Sequence, residues 1–399
     1  MRWSMLAILF VVRLAMGYQF QSIGSVSAQL VDTFGFSYAQ VGTLIGLFLL
    51  PGVFMALPSG AMTRAATDKT LLMIGASVMA VGSTVMAFAE GPSQLYAGRL
   101  LTGVGATLFN LVLTKMVSEW FFGKEIITAL SIMLVAWPIG IAIGLLTQGA
   151  VAIAFGWQSV MAASTAAALL ALLLTAGAYR APPGNATAGD AGPLRFGLPG
   201  REAVHISVVG IGWAAFNASL IVLVSFAPDA LVAKGWAAAE ARSTASLMMW
   251  ATLVSLPLGG RLMEKFGYVT PGIAGFLLLA AGCTCVIFMG WAPATMFVLF
   301  VLFGLAGGIP GGALMALTSQ ATTPANRGPG LGVFYTWYYA GMTVAPAVAG
   351  WLRDTLQQAG APVLFAGGLM VVTVLTVLLL RLLQARWPIP VASPSPSPQ

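Results

Sequence analysis

Two arginines, Arg13 and Arg99, lie inside long apolar stretches of the chain, whereas none of the 11 acidic residues is predicted to do so. A guanidinium keeps its proton even in hydrocarbon, so each arginine needs an anion or backbone carbonyls as partners. No acidic side chain is expected at the same depth. The residue types therefore favour a site for a negatively charged group that comes from outside the chain.

Two roles are open for each arginine. An unpaired cation in the middle of a bilayer costs about 3 kcal/mol or more, so something should compensate Arg13. We favour an anion there, with carbonyl bonding or extension toward the membrane surface as the alternative. For Arg99, bonding to the carbonyls of a neighbouring helix is weighed against a role in anion binding.

Further polar residues share the faces of these arginines if the surrounding segments are helical. Gln21 flanks Arg13 at i+8, and Gly103 and Asn110 continue the stripe that begins at Arg99. Asn110 would lie about 16 Å from Arg99 along the helix axis. We interpret this narrow stripe, which ends in an amide, as the wall of an aqueous cavity.

The second half of the chain offers aromatic rings, amides and glycines. Trp213 and Asn217 are spaced i,i+4 and could face the same cavity, although packing is an equal alternative for the tryptophan. The segment Gly304–Gly312 contains Pro310 and five glycines, so a regular helix should break there. A broken helix can expose backbone groups at a binding site, and close packing of small residues is the alternative.

Four aromatic residues cluster further along the chain. Tyr335, Trp337, Tyr338 and Tyr339 lie within five positions. Because neighbouring residues of a helix point in different directions, we expect at most two of these rings to face a cavity.

The elements that position these residues are predicted to be membrane-spanning helices. The chain is 59% hydrophobic and only 7% charged, and continuous apolar runs of about 20 residues recur along it. Continuous runs indicate helices rather than the alternating strands of a barrel. The sequence thus predicts an all-α polytopic membrane protein with twelve spans: Ser4–Val26, Ala39–Ala61, Thr70–Ala89, Gln94–Val117, Ile126–Gly149, Gln158–Ala178, Val204–Phe226, Ser243–Leu262, Thr270–Gly290, Thr295–Leu317, Pro329–Trp351 and Pro362–Gln384.

The spans divide into two six-helix halves, residues 1–179 and 204–386. Residues 180–203 form a Pro/Gly/Ala-rich cytoplasmic linker, and the Ser/Pro tail 387–399 should be disordered. A weak repeat supports two related halves, because Leu57–Gly60 closes the second span and Leu256–Gly259 closes the eighth.

The net charge of +7 is explained by orientation rather than by binding to nucleic acid. Thirteen Lys and Arg residues fall on the side of the termini and three on the other, which predicts cytoplasmic termini. The sequence contains no nucleotide-binding loop, no cluster of metal ligands and no Ser–His–Asp set around its single histidine, His205. We therefore expect neither an enzyme nor a cofactor.

Three short motifs resemble the major facilitator superfamily. Gly260, Glu264, Lys265 and Gly267 match its loop signature with Glu in place of Asp, and Arg99 opens an Arg-x-x-x-Gly-x-Gly element that continues through Gly103 and Gly105. Pro138 and Gly140 belong to a fragment of the Gly/Pro-rich pattern of exchangers. After the second span the loop signature is damaged, since Arg64 stands where the acid should be. The segments 37–42 and 119–121 are loosely similar to the cyanate/nitroimidazole permease and nitrate permease branches.

The resemblance implies a monomeric transporter in the bacterial cytoplasmic membrane, with a substrate site between two rocking halves. Combined with the arginines, it predicts alternating-access transport of a small organic or inorganic anion. Arg13 would attract the anion, Arg99 would assist or shape the site, and Asn110, Trp213 and Asn217 would orient the substrate.

The alternative function is efflux of a neutral or apolar drug-like compound, and a non-transporting membrane sensor or scaffold ranks last. The sequence shows no titratable group at membrane depth that would couple transport to protons. Co-transport of a protonated substrate with its own proton, anion exchange and facilitated diffusion therefore stay open.

Overall fold

The computed structural model describes residues 1–56, 66–121, 125–181, 197–266, 269–290, 292–323 and 326–389. These residues form helices joined by short turns. The helices are α1 (Arg2–Ser25), α2 (Ser27–Phe34), α3 (Tyr38–Leu47), α4 (Leu50–Met55), α5 (Asp68–Ala87), α6 (Pro92–Trp120), α7 (Ile126–Phe155), α8 (Trp157–Gly177), α9 (Gly200–Val232), α10 (Ala238–Phe266), α11 (Val269–Met289), α12 (Pro293–Gly308), α13 (Gly311–Ala316), a 3₁₀ turn (Leu317–Gln320), α14 (Arg327–Leu356) and α15 (Ala361–Arg386).

Ten segments of the described chain are long and apolar enough to cross a membrane. They include the pair α3–α4 (Tyr38–Met55) and the series from α12 through the 3₁₀ turn (Pro293–Gln320). The two other predicted spans correspond to α10 and α14, which are helices of 29 and 30 residues. The all-helical membrane fold is therefore confirmed. The helices α10 and α14 are long enough to cross a membrane but are not among the ten segments that are also apolar enough, so the count of twelve spans depends on their length alone.

The second predicted span consists of two helices, α3 and α4. Each helix has a sequence signal at its start. The Ser37 side chain accepts a hydrogen bond from the Gln40 backbone N–H at 3.2 Å and the Gln40 side chain accepts from the Ser37 N–H at 2.9 Å, which forms a capping box at the start of α3. Pro51 lies in the first turn of α4, where its missing N–H costs nothing. Between the two helices, Phe48 and Leu49 form a turn.

The break predicted around Pro310 is present, since α12 ends at Gly308 and α13 begins at Gly311. The glycines of this region pack closely against α10: a β-carbon on Gly304 would overlap the Met248 carbonyl, and one on Gly259 would overlap the Ile309 carbonyl. Close packing of small residues is thus what the structure shows at the break.

Helix α9 is longer than its predicted span at both ends. Residues 200–203, assigned to the linker, are helical, and the helix continues past Phe226 to Val232. The acidic residue Asp229 therefore lies near the distal end of α9, beyond the predicted end of this span at Phe226. A prediction from apolarity alone ended this span at Phe226, six residues before the end of the helix at Val232.

Several predicted features fall outside the described residues. They are most of the linker (182–196), the tail from residue 390, the repeat segment 57–60 and Gly267. Trp387, assigned to the tail, is described and packs near His205 with ring centroids 6.4 Å apart.

Helices α1–α8 form the first half and α9–α15 the second, and they meet along α3–α14 and α7–α10. Glycines allow α3 and α14 to approach each other closely, because β-carbons on Gly42 and Gly46 would overlap the carbonyls of Pro346 and Thr343. We call the end of the bundle where α1 begins the terminal end, and the opposite end the distal end.

Polar contacts differ between these two ends. At the distal end they join the halves, as in the hydrogen bond from Ser27 Oγ to Asp229 Oδ2 (3.1 Å). At the terminal end, the described contacts stay within a half: Arg2 pairs with Glu125 at 2.6 Å, and Asn326 Nδ2 donates to Glu202 at 2.9 Å. The structure is therefore held closed at its distal end.

Candidate functional site

Arg13 lies midway along α1, and among the described residues no acidic side chain pairs with it. Its Nε atom is buried and has no hydrogen-bond partner, and within the described part of the chain its guanidinium forms no ion pair. The groups that act on it electrostatically are the phenols of Tyr335, Tyr338 and Tyr339 on α14. The structure therefore presents an uncompensated cation at the boundary between the two halves.

The prediction that at most two aromatic residues of α14 face one site is wrong. Tyr335, Tyr338 and Tyr339 are spaced i, i+3 and i+4, which places them on one helix face. Trp337 points away and is 42% exposed. The spacing was visible in the sequence, so this face could have been predicted.

The tyrosines continue an aromatic wall that begins on α9. The centroid of the Trp213 ring is 6.1 Å from that of Phe334, Phe334 is 5.2 Å from Tyr335, and Tyr338 is 4.9 Å from Tyr339. Ring centroids at these separations are typical of interacting aromatic pairs. The wall gives the site beside Arg13 flat apolar surfaces edged with hydroxyl groups.

Asn110 joins this site from the first half. Its Nδ2 atom lies 3.4 Å from the Tyr339 hydroxyl, and the Tyr339 ring packs against the backbone of Gly52 in α4. Three helices, α4, α6 and α14, thus meet at this tyrosine. Asn217 is less available, because its Nδ2 donates to the Trp213 carbonyl of its own helix at 2.8 Å.

Arg99 forms hydrogen bonds with backbone carbonyls of the first half. It is fully buried and donates to Leu44 O at 2.9 Å, Gln19 O at 3.2 Å and Phe20 O at 2.8 Å. The rings of Phe20 and Phe48 flank the guanidinium at 5.6 and 4.6 Å. Of the two roles left open, the geometry favours carbonyl bonding for Arg99.

The turn in the second span supplies one of these carbonyls. At the end of α3 the Phe48 N–H bonds to Gly46 O rather than to Leu44 O, which leaves the Leu44 carbonyl to Arg99. Gly103 lets α6 approach the same turn, because a β-carbon there would crowd the Phe48 carbonyl. The stripe predicted to line a cavity is therefore buried between helices from Arg99 to Gly103, and only Asn110 reaches the site.

Gln21 is separated from Arg13 by the rise of eight residues, about 12 Å. It is 1% exposed, lies against Gly144 of α7, and neither atom of its amide has a hydrogen-bond partner. Gln148, whose Nε2 donates to Tyr18 O at 2.7 Å, lies beside it. The structure does not bring Gln21 together with Arg13.

The remaining motif residues lie at helix contacts or helix ends. A β-carbon on Gly105 would overlap the Gly75 carbonyl, one on Gly140 would overlap the Leu14 carbonyl, and Pro138 lies inside α7. Gly260 and Glu264 belong to α10, and Lys265 is exposed in its last turn.

A second polar cluster, at the distal end, was missed in the sequence. Asp354 accepts from the backbone N–H groups of Tyr38 and Ala39 at 3.0 and 2.7 Å, at the start of α3. Arg353 pairs with Asp229 at 2.9 Å, and its guanidinium covers the Tyr38 ring at 3.3 Å. We call these residues, with Ser27, the distal cluster. The sequence did carry a signal for this cluster: Arg353 and Asp354 are adjacent charged residues, and the predicted topology places them on the same side of the membrane as Asp229.

The all-helical membrane fold and its two halves are those of a family of membrane transporters. The chain belongs to the major facilitator superfamily, since the Major Facilitator Superfamily profile matches residues 9–228 and 203–398. This confirms the family resemblance seen in the motifs, without selecting a branch.

Similar proteins of known name include two bacterial transporters. The 3-(3-hydroxy-phenyl)propionate transporter of Escherichia coli (strain K12) is 30% identical over 292 residues, covering 68% of this chain and 69% of that protein. A putative tartrate transporter of Agrobacterium vitis is 22% identical over 394 residues, covering 90% and 86%. Among solved structures, a bacterial homolog of the human lysosomal transporter Spinster, inward-facing and occupied, matches with a TM-score of 0.71 and 19% identity over 95% of this chain and 94% of that one.

Proposed function

We propose that this protein transports a small organic anion by alternating access, with Arg13 binding the carboxylate of the substrate. The observation that carries this proposal is the buried Arg13 Nε without a partner at the boundary of the two halves. A carboxylate is the natural partner, because it accepts from the planar guanidinium through two parallel hydrogen bonds.

The surroundings of Arg13 support an organic anion that also carries hydroxyl groups. Tyr335, Tyr338 and Tyr339 offer both ring faces for an apolar body and phenols that donate or accept hydrogen bonds. The Asn110 amide adds a further polar group beside Tyr339. The two named relatives are called transporters of tartrate and of 3-(3-hydroxy-phenyl)propionate, which are both hydroxylated carboxylates.

The contacts between the halves support an inward-facing state. The excess of Lys and Arg on the side of the termini supports a bacterial inner-membrane protein whose terminal end faces the cytoplasm and whose distal end faces the opposite side. The distal end is the closed one, so the site would open toward the cytoplasm. Rocking of the halves would break the α3–α14 contact and expose the site to the outside.

Counterflow in proteoliposomes tests the proposal. Vesicles preloaded with unlabelled 3-(3-hydroxyphenyl)propionate or tartrate should accumulate the labelled compound, and Arg13→Gln should abolish this accumulation. Arg201→Gln is a matched control, because Arg201 is an exposed arginine that packs on Trp387 at the terminal end. Counterflow that persists in Arg13→Gln would refute the role of Arg13, and equal competition by the uncharged amide of the same compound would favour a neutral substrate.

A further inference from the structure

Gln21 of α1 is a buried amide whose hydrogen-bonding capacity is unused. Its side chain is 1% exposed, and among the described residues neither its Oε1 nor its Nε2 has a hydrogen-bond partner. A primary amide both donates and accepts hydrogen bonds, and burying it without partners costs free energy. Gln21 therefore destabilises the closed distal end relative to a state in which water reaches its amide.

The amide lies where α1 and α7 of the first half meet α9 of the second. The Cβ and Cγ atoms of Gln21 lie 3.0 and 3.2 Å from the point that a β-carbon on Gly144 of α7 would occupy. Gln21 Nε2 and the Ser225 Oγ of α9 lie 2.9 and 3.6 Å from the corresponding point at Gly24. Ser225 is itself only 3% exposed. The second half therefore helps to cover the Gln21 amide, and separation of the halves at the distal end would uncover it.

Two neighbouring side chains are in the same condition. Gln148 donates from Nε2 to the Tyr18 carbonyl at 2.7 Å, but its buried Oε1 has no hydrogen-bond partner in the described part of the chain. The Ser25 Oγ atom, one helical turn beyond Gln21, is also buried without a partner there. We call Gln21, Ser25 and Gln148 the amide cluster. Closing the distal end leaves polar atoms of this cluster without the hydrogen bonds that water would give them.

Gln19, two positions earlier on α1, shows how the chain treats an amide that stays within one half. Its Nε2 donates to Ser83 Oγ of α5 at 2.6 Å and to the Met79 carbonyl at 3.3 Å, and its Oε1 lacks a partner. These residues all belong to the first half, so opening of the distal end would not separate them. Gln21 differs from Gln19 because residues of the other half help to cover it.

We propose that Gln21 limits the stability of the distal-closed state and thereby sets how often the distal end opens. The α3–α14 contact and the distal cluster favour closure, whereas the unsatisfied amide opposes it. Opening hydrates the amide and recovers the hydrogen bonds lost on closure. Because the amide carries no charge, this contribution is independent of pH. The inference rests on the alternating access of the proposed function and not on the identity of the anion.

The rate at which a cysteine at position 225 reacts with a charged thiol reagent tests the proposal without any substrate. Cys283 and Cys285 are first replaced by alanine, so that Ser225→Cys supplies the thiol. Ser225 is buried in the closed state, so the thiol reacts when the distal end opens, and the rate follows the distal-open fraction even where that fraction is small. Thr33→Cys, exposed at the distal end, gives the rate of an accessible thiol in the same nanodiscs.

Gln21→Met keeps the length of the side chain and removes both unpaired atoms. We expect it to slow the labelling of Ser225→Cys about 5- to 150-fold, which corresponds to about 1–3 kcal/mol. Gln19→Met is the matched control, because it removes a buried amide of the same helix that the second half does not cover, and it should leave the rate unchanged. If Gln21→Met does not fold, Gln21→Leu removes the same polar atoms and should also slow labelling.

Spin labels give a second readout of the same equilibrium. Thr33 of the first half and Gln358 of the second are both exposed at the distal end, so the distance between labels on them reports its opening. In Gln21→Met the distal-open fraction should not exceed that of the protein with Gln21.

Labelling of Ser225→Cys that is equally fast or faster in Gln21→Met would overturn the proposal, and so would equal slowing by Gln19→Met. A Ser225→Cys that never reacts would refute the alternating access on which the proposal rests. Failure of anion counterflow, with labelling slowed in Gln21→Met alone, would refute the proposed substrate and leave this inference standing.

Discussion

Replacing Gly46 with alanine should force the distal end open. Gly46 of α3 faces the main-chain carbonyl of Thr343 on α14, and a β-carbon at this position would overlap that oxygen. A helical carbonyl cannot move aside by itself, so α14 must shift as a whole. Overpacking of this kind costs about 1–3 kcal/mol, which would raise the ratio of distal-open to distal-closed protein about 5- to 150-fold.

The matched control is Gly368→Ala. Gly368 lies inside α15, and a β-carbon added there has no heavy atom within 4 Å. Both substitutions gain about 1 kcal/mol of helix propensity, so their difference isolates the contact with α14. The assay is the distance between spin labels on Thr33 and Gln358. If Gly46→Ala and Gly368→Ala gave the same distance distribution, the argument that the α3–α14 contact closes the distal end would be refuted.

Three further substitutions test other parts of the account. Arg99→Gln should lower the free energy of unfolding by at least about 3 kcal/mol, measured by thermal denaturation, because charge-assisted bonds to carbonyls are lost; an unchanged melting temperature would contradict the structural role. Asp354→Asn should raise the distal-open fraction about 5- to 30-fold in the spin-label assay. The substitution removes the negative charge at the start of α3 and weakens the two hydrogen bonds from the Tyr38 and Ala39 N–H groups. An unchanged fraction would contradict this. Burial raises the pKa of Tyr179 to about 12, so the folded state keeps the phenol proton longer than the unfolded state, whose pKa is about 10. Stability should therefore fall between about pH 10 and pH 12, and Tyr179→Phe should show a smaller fall in melting temperature over this range; equal falls would count against it.

The membrane-spanning helices could be predicted because they follow from local apolarity. Long continuous apolar runs define spanning helices, and the break of the tenth span follows from Pro310 and its neighbouring glycines. The end of α9 was misplaced because the predicted span ended with the apolar run at Phe226, whereas the helix continues to Val232.

The neighbours of each polar residue could not be predicted in this way. Helical spacing placed Arg99 and Asn110 on one face, but it did not show that carbonyls of α1 and α3 cover Arg99. The ion pair between Asp229 and Arg353 joins residues 124 positions apart, and only the packing of α9 on α14 brings them together. Side-chain partners across such separations depend on tertiary structure, which local pattern does not encode.

Direct binding to Arg13 tests the central claim most closely. Titration calorimetry of nanodisc-embedded protein would compare 3-(3-hydroxyphenyl)propionate with its uncharged amide, in the unchanged protein and in Arg13→Gln. A hydrogen bond to a charged group contributes about 1.5–3 kcal/mol, so we expect Arg13→Gln to weaken binding of the acid about 10- to 150-fold and to leave the weaker binding of the amide unchanged. An unchanged Kd for the acid in Arg13→Gln would contradict the assignment of Arg13 as the residue that binds the anion.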